Sequence, residues 1–222
     1  MRLFPLILVL LLAAPAAHSA TKVDWQDNIF GATLYNSQGI LLDDSFTFEF
    51  GTFGSSFTPT LANISQWTTQ WKLLSRATAP PDIDGHGWNS ASQAFGQSFT
   101  FNSNGTVQGL AGSATFAAGE QAYLWVSGSN EWALVTDDTP GTSGDDIWLL
   151  PAPNAQDPIT LTWVLETATH PVFGGANNLH SSAPGSVDPG TFTLQTAVIP
   201  EPGSSLLVLL IGVLARLRRT AR

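Results

Sequence analysis

The sequence predicts an all-β fold: an antiparallel, jelly-roll-like β-sandwich with one amphipathic helix. Three observations predict it. Short runs rich in aromatic and β-branched residues alternate with polar residues at period two. Clusters of Gly, Asn, Ser and Pro separate these runs at short intervals. Charged residues make up only 11% of the 222 residues against 43% hydrophobic ones, a balance that suits a β-rich extracellular domain better than a helical cytosolic one.

Taken in order, Ile29 to Tyr35 is apolar and β-prone, and Asn36-Ser37-Gln38-Gly39 breaks it. Ser45 to Phe50 alternates strictly, with Phe46, Phe48 and Phe50 on one face. The period then changes. Leu61, Ile64, Trp67, Trp71 and Leu74 recur at helical spacing behind Thr58-Pro59, which predicts one helix over about residues 60–74 packed through both tryptophans. Ala79-Pro80-Pro81 ends it. Beyond residue 94 the pattern is strand again. Gln97–Phe101 and Thr106–Leu110 flank an Asn-Ser-Asn-Gly turn, followed by Ser113–Phe116, Gln121–Val126, Glu131–Thr136, Ile147–Leu150, Ile159–Glu166 and Thr191–Val198. Residues 167–190, dominated by Gly, Pro, Asn, Ser and His, read as a long surface loop. No repeat of 20–50 residues occurs, which argues against a solenoid or propeller.

The two ends have a different character. Arg2, the apolar run Leu6–Leu12 and the small residues through Ala20 form the three parts of a secretory signal peptide, with cleavage expected after Ser19. That leaves an exported domain over residues 20–198 and a distinct segment over 199–222. Between residues 21 and 199 only Lys22, Lys72 and Arg76 oppose sixteen acidic residues, a net charge of −13. Such a surface repels phosphate, so nucleic acid and anionic lipid are poor partners. The absence of cysteine excludes thiol nucleophiles, zinc knuckles and iron–sulfur ligation.

The last segment reads Pro200-Glu201-Pro202, an apolar run from Leu206 to Ala215, and Arg216, Arg218 and Arg219. This order resembles the PEP-CTERM sorting signal of bacterial envelope proteins. The resemblance implies processing by an exosortase-type enzyme near Pro200-Glu201-Pro202 and a short C-terminal transmembrane helix with the arginines as its stop. Residues 204–215 give about 18 Å of helix, against the ~20 residues of a stable span, so the tail suits transient insertion better than permanent anchoring. The Phe-Glu-Phe-Gly strand, the Thr-Pro-Thr turn and the Trp67/Trp71 helix also resemble a domain found in many PEP-CTERM proteins of uncharacterised function.

Three sets of residues are candidate sites. Asp82 and Asp84, ahead of Gly87, have part of the spacing of a calcium loop, but His86 stands where an oxygen ligand belongs; a looser oxygen cage and a plain polar turn are both open. Asp137, Asp138, Asp145 and Asp146 crowd four carboxylates into ten residues, either solvated or bridged by Ca²⁺. Trp25 and Trp88 lie in loop-like contexts where an indole could stack on a sugar ring, while the other six tryptophans read as core. Glu49, Glu120, Glu131 and Glu166 could supply the carboxylate pair that glycan hydrolysis needs, but no spacing selects a pair. The histidines match no H-E-x-x-H pattern or serine elbow. The expectation is therefore a non-enzymatic protein of the cell surface or extracellular matrix, associated with exopolysaccharide. A carbohydrate-binding module, calcium-dependent or not, is the alternative, and a glycan hydrolase the third reading.

Overall fold

Alternation decides which side chains meet inside. In the computed structural model, which describes residues 20–27, 32–102, 105–107, 115–139, 147–152, 160–181 and 186–200, the first strand β1 (Thr21–Gln26) turns Thr21, Val23 and Trp25 inward and Lys22, Asp24 and Gln26 outward. The other strands are β2 (Leu34–Tyr35), β3 (Thr47–Thr52), β4 (Lys72–Ala77), β5 (Gly87–Asn89), β6 (Ala94–Phe101), β7 (Ala122–Ser127), β8 (Glu131–Thr136), β9 (Thr160–Val164), β10 (His170–Phe173), β11 (Gly175–Ala176), β12 (Leu179–His180), β13 (Leu194–Gln195) and β14 (Ala197–Val198). One sheet runs β5-β6-β1-β9. A second runs β10-β8-β7-β3-β4 and also takes β14 against β8, and a small third runs β12-β11-β13-β2.

Most pairs are antiparallel, as expected, but two are not. β1 lies parallel to β9, with Lys22 opposite Thr160, and β2 lies parallel to β13, with Leu34 opposite Leu194. In both pairs more than a hundred residues separate the partners. No hairpin constrains their direction, so either orientation is open to them.

The first two sheets pack face to face through aromatic rings. Phe50 on β3 lies 5.6 Å from Trp25, 5.1 Å from Trp163, 5.4 Å from Trp148 and 6.3 Å from Phe99, ring centre to ring centre. Phe48 stacks on Phe95 at 4.5 Å and meets Trp88 at 4.7 Å. A second aromatic cluster occupies the opposite face of the large sheet, where Tyr123, Trp125 and Leu134 meet Phe53, Trp67 and Phe173. β7 is thus covered on both faces, which is why Ala122 to Val126 is an unbroken apolar run rather than an alternating one.

The cover over that second cluster is shorter than the helix expected over 60–74. A 3₁₀ segment, Leu61–Gln66, leads into a single α-helical turn, α1 (Trp67–Gln70), and Trp71 is already extended. Lys72–Ala77 then pairs with β3 as an edge strand. Leu61, Ile64, Trp67 and Trp71 do share one face, against the second cluster, but Leu74 turns into the main core. Pairing with the open edge of β3 outweighs the helical spacing of Leu74, and two adjacent threonines, Thr68 and Thr69, add little helix propensity. Among the described residues no helix is long and apolar enough to cross a membrane. The apolar tail and its arginines, like the segment expected to be a signal peptide, lie outside the described residues.

Residues 167–190 also differ from expectation, since β10, β11 and β12 fall within them. Gly174 makes the tight passage from β10 to β11 at φ +77°, where a Cβ would sit 2.3 Å from the Gln195 carbonyl oxygen. The Asn177 amide donates to the carbonyls of Leu165, Glu166 and Ala168 at 2.8–3.1 Å. Residues that look like loop composition therefore hold short strands in place. The strand expected over Ile147–Leu150 is reduced to one bridge, Leu149 to Gln121.

Glu131 ties the closing strands to the rest. Its carboxylate accepts from the Ser37 amide (3.0 Å), the Ser37 hydroxyl (2.6 Å) and the Thr196 hydroxyl (2.7 Å). Burial alone would push this carboxyl up, but the hydrogen bonds from Ser37 and Thr196 outweigh it and hold the group below its ordinary value. Its stabilisation is therefore complete above about pH 4.5 and is lost as the pH falls through the lower folded value. Glu131→Ala strands donors on buried Ser37 and Thr196 and is expected to cost about 2–3 kcal/mol at pH 6. Urea denaturation of the variant and the parent protein measures this, and the difference should shrink at pH 3.

Candidate functional site

β5, β6 and β1 present a polar outer face, and their register builds a cleft on it. Gln26, Gly96 and Gly87 stand in one row across the three strands. At Gly87 a Cβ would lie 2.8 Å from both Pro81 Cα and the Thr78 carbonyl oxygen, so the chain leading into the 82–86 turn sits directly on that glycine. At Gly96 a Cβ would meet nothing closer than Gln26 Cβ at 3.5 Å, so the floor there is open. Pro81, Gly85 and His86 form the far wall of a half-open cavity of about 430 Å³. Its polar lining includes Lys22, Asp24, Gln26, Asn89 and Gln97, with Lys22 and Asp24 paired at 2.8 Å.

Asp27, one residue beyond β1, also lines this cavity. It is fully buried, and its backbone extends the ladder through an N–H bond to the Phe95 carbonyl at 3.2 Å. Oδ1 accepts the Phe95 N–H at 3.2 Å, while Oδ2 has no hydrogen-bond partner. Burial pushes the carboxyl up to about 7; the Phe95 N–H opposes this, and the Glu166 carboxylate reinforces it. Sequence reading passed over Asp27. The signal was there, because inward positions 21, 23 and 25 place the next inward position at 27, where a carboxylic acid stands.

The residues singled out from the sequence fare differently. Trp25 and Trp88 are corrected, since both are core side chains, 1% and 0% exposed. Trp25 stacks on Phe50, and Trp88 packs on Phe48 while donating its Nε1–H to the Asp43 carbonyl at 3.0 Å. Their neighbours Lys22, Asp24 and Asn89 gave a loop-like context because they belong to the outer faces of strands β1 and β5. Neither indole offers a face to a sugar.

Asp82 shapes its own turn. Its Oδ1 accepts the N–H groups of Asp84 (3.0 Å) and His86 (2.8 Å), and Gly85 closes the turn at φ +81°. Asp84 is exposed. Asp137 Oδ1 accepts from the Thr169 hydroxyl at 2.7 Å, and Asp138 lies 2.7 Å from His170 Nδ1, so both carboxylates dock against the approach to β10. Asp145 and Asp146 lie outside the described residues. Among the described residues no group of three or more His, Asp or Glu side chains is placed to hold a metal. Of the four glutamates considered for hydrolysis, Glu49 binds Trp71 Nε1 and Arg76, and Glu131 is the clamp described above.

A second hollow, of about 580 Å³ but wider and shallower, lies between Pro59–Ala62 and the segments carrying His170 and His180. His170, which pairs with Asp138, is part of its lining. The cleft beside Asp27 is the more enclosed of the two and has the denser set of polar groups. No known protein family matches the chain, and neither a curated protein nor a solved structure matches it.

Proposed function

We propose that this chain is an exported, non-enzymatic protein of the bacterial envelope or extracellular matrix, carrying a jelly-roll-like sandwich and a removable PEP-CTERM tail. One observation supports the reading most. The fold holds the chain as far as Ile199, whose N–H donates to the Asn130 carbonyl at 2.9 Å, and the next residue, Pro200, is exposed. Pro200, the first residue of the expected sorting motif, is thus accessible immediately after a residue tied to the fold. The acidic surface suits a domain kept soluble outside the cell among neutral polymers.

Intact-mass spectrometry of surface-resident or released protein tests the reading. The expected mature chain starts near Ala20 and lacks the arginine-rich tail. Retention of Arg222 on surface-resident protein overturns removal of the tail, and recovery of the protein with Met1 from the cytoplasm overturns export.

Carbohydrate binding is the second reading, favoured by the polar cleft rather than by the tryptophans. In that reading calcium would be held by Asp82 and Asp84 or by the carboxylate-rich segment 137–146, and glycan titration with and without a chelator tests it.

A further inference from the structure

We infer that the end of the domain around the chain exit is a lipid-contacting surface. Ile40, Leu41, Val187 and Val198 seat the folded domain on a net-neutral phospholipid bilayer while the tail is inserted. The inference rests on the proposed insertion of the tail and adds to it a contact made by the domain itself.

Hydrogen bonds gather these four residues from three separate segments. Asn36 Oδ1 accepts the N–H groups of Gln38 and Ile40 at 3.0 and 2.9 Å, and Leu41 bridges back to Tyr35. The Val187 N–H donates to the Ser37 carbonyl at 2.9 Å, and the buried Gln195 amide donates to the carbonyls of both Asn36 and Val187. Ser37 also donates to Glu131, whose register partner across β14 and β8 is Val198. The four side chains are 40–58% exposed, and they make up four of the seven large exposed hydrophobic side chains among the described residues. Scattered singly such side chains need no explanation; gathered at one end of a domain they mark a contact surface.

Chain length and charge identify what covers this end. Ile199 is tied to Asn130, Pro200 follows it, and the apolar run of the tail starts at Leu206. Six steps of extended chain reach about 20 Å, so an inserted tail keeps this end that close to the hydrocarbon. The opposite end of the large sheet, where Leu149 bridges to Gln121, is farther away by the length of β7, about 20 Å. Segments 35–41, 186–190 and 196–200 contain no basic residue, and Asp188 is exposed. Nothing there attracts an anionic headgroup, so a net-neutral lipid is the partner that fits.

The chain has no cysteine, so one introduced cysteine places a fluorescent probe at a single position. Full-length chains with Ile40→Cys, Leu149→Cys or Leu210→Cys, each labelled with a nitrobenzoxadiazole dye, are reconstituted into phosphatidylcholine vesicles with and without a doxyl-lipid quencher. The probe at position 210 reports whether the tail is in the lipid. With the tail inserted, quenching at position 40 is expected to be at least threefold that at position 149. Adding Leu41→Ser, Val187→Ser and Val198→Ser to the Ile40→Cys chain should at least halve the quenching at position 40. Circular dichroism checks that this chain is folded; if it is not, the comparison of positions 40 and 149 decides alone. Quenching at position 210 with equal quenching at 40 and 149 overturns the inference and leaves tail insertion intact. So does quenching at position 40 that the folded serine chain retains. A blue shift at position 40 that grows with protein concentration in detergent, without vesicles, assigns the surface to a second copy of the chain and overturns the lipid contact. No quenching at position 210 overturns tail insertion and the inference together.

Discussion

Phe50→Ala is expected to lower the unfolding free energy by about 3–5 kcal/mol, a large share of the roughly 5–15 kcal/mol that holds an ordinary domain together. Phe50 is the ring on which both sheets converge. Trp25 and Phe99 reach it from β1 and β6, Trp163 from β9, and Trp148 from the chain beside β7. These neighbours are large, rigid rings on backbones fixed by ladders, so they collapse poorly into a void. Lost burial and lost dispersion therefore add. Urea titration followed by tryptophan fluorescence gives the midpoint and the slope. A shift worth under about 1 kcal/mol would mean that Phe50 is not the packing centre described here.

The second large effect is a fall in stability as the pH rises from about 4 to 7. Asp27 has its folded pKa raised from 3.8 to about 7. Below about pH 4 the group is protonated in both states and contributes no slope. Between the two values the unfolded chain has lost the proton while the folded one keeps it, so stability falls with rising pH. The full penalty is in place above about pH 7 and approaches 4 kcal/mol as an upper figure. Glu166 raises the folded value further, and Lys22, Asp24 and His86 are the other ionisable groups around the same cleft. Glu131 and Asp43 act in the opposite sense at lower pH. The Ser45 hydroxyl and amide hold Asp43 below its ordinary value, so both groups lose their stabilisation as the pH falls below about 4. Greatest stability is therefore expected near pH 4–5. Thermal unfolding at half-unit steps from pH 3 to 8 should show that maximum, and Asp27→Asn should flatten its alkaline side. A parent profile level from pH 4.5 to 7.5 would contradict the buried-acid assignment.

How much was legible depended on whether local pattern and tertiary environment agreed. They agreed at Phe46, Phe48 and Phe50, where alternation alone identified one buried face of β3. They agreed again at Glu131–Thr136. They disagreed where an element is covered on two sides. β7 lost its alternation to the α1 cluster, and the spacing that continued to Leu74 masked an edge strand completed only by β3. Trp25 and Trp88 were misplaced because polar outer-face neighbours hide a short strand, and residues 170–180 because glycine and asparagine carry strands of two to four residues. The candidate site was scarcely legible. Its walls come from residues 22–27, 81–89 and 94–97, which only the pairing of β1, β5 and β6 brings together, and no motif marks any of them.

The parallel pairing of β2 with β13 has a consequence for timing. Made from its N-terminus, the chain holds β2 with only its local bridge from Tyr35 to Leu41 until Leu194 and Gln195 have been added, and β1 without its second neighbour until Val164. Contacts that span most of a chain form slowly, because loop closure precedes their reward. The last-made strands close the first-made ones, so the polypeptide stays unclosed for nearly all of its synthesis. On the export reading proposed above, such a chain would cross the membrane open and fold once its final strands emerge on the far side.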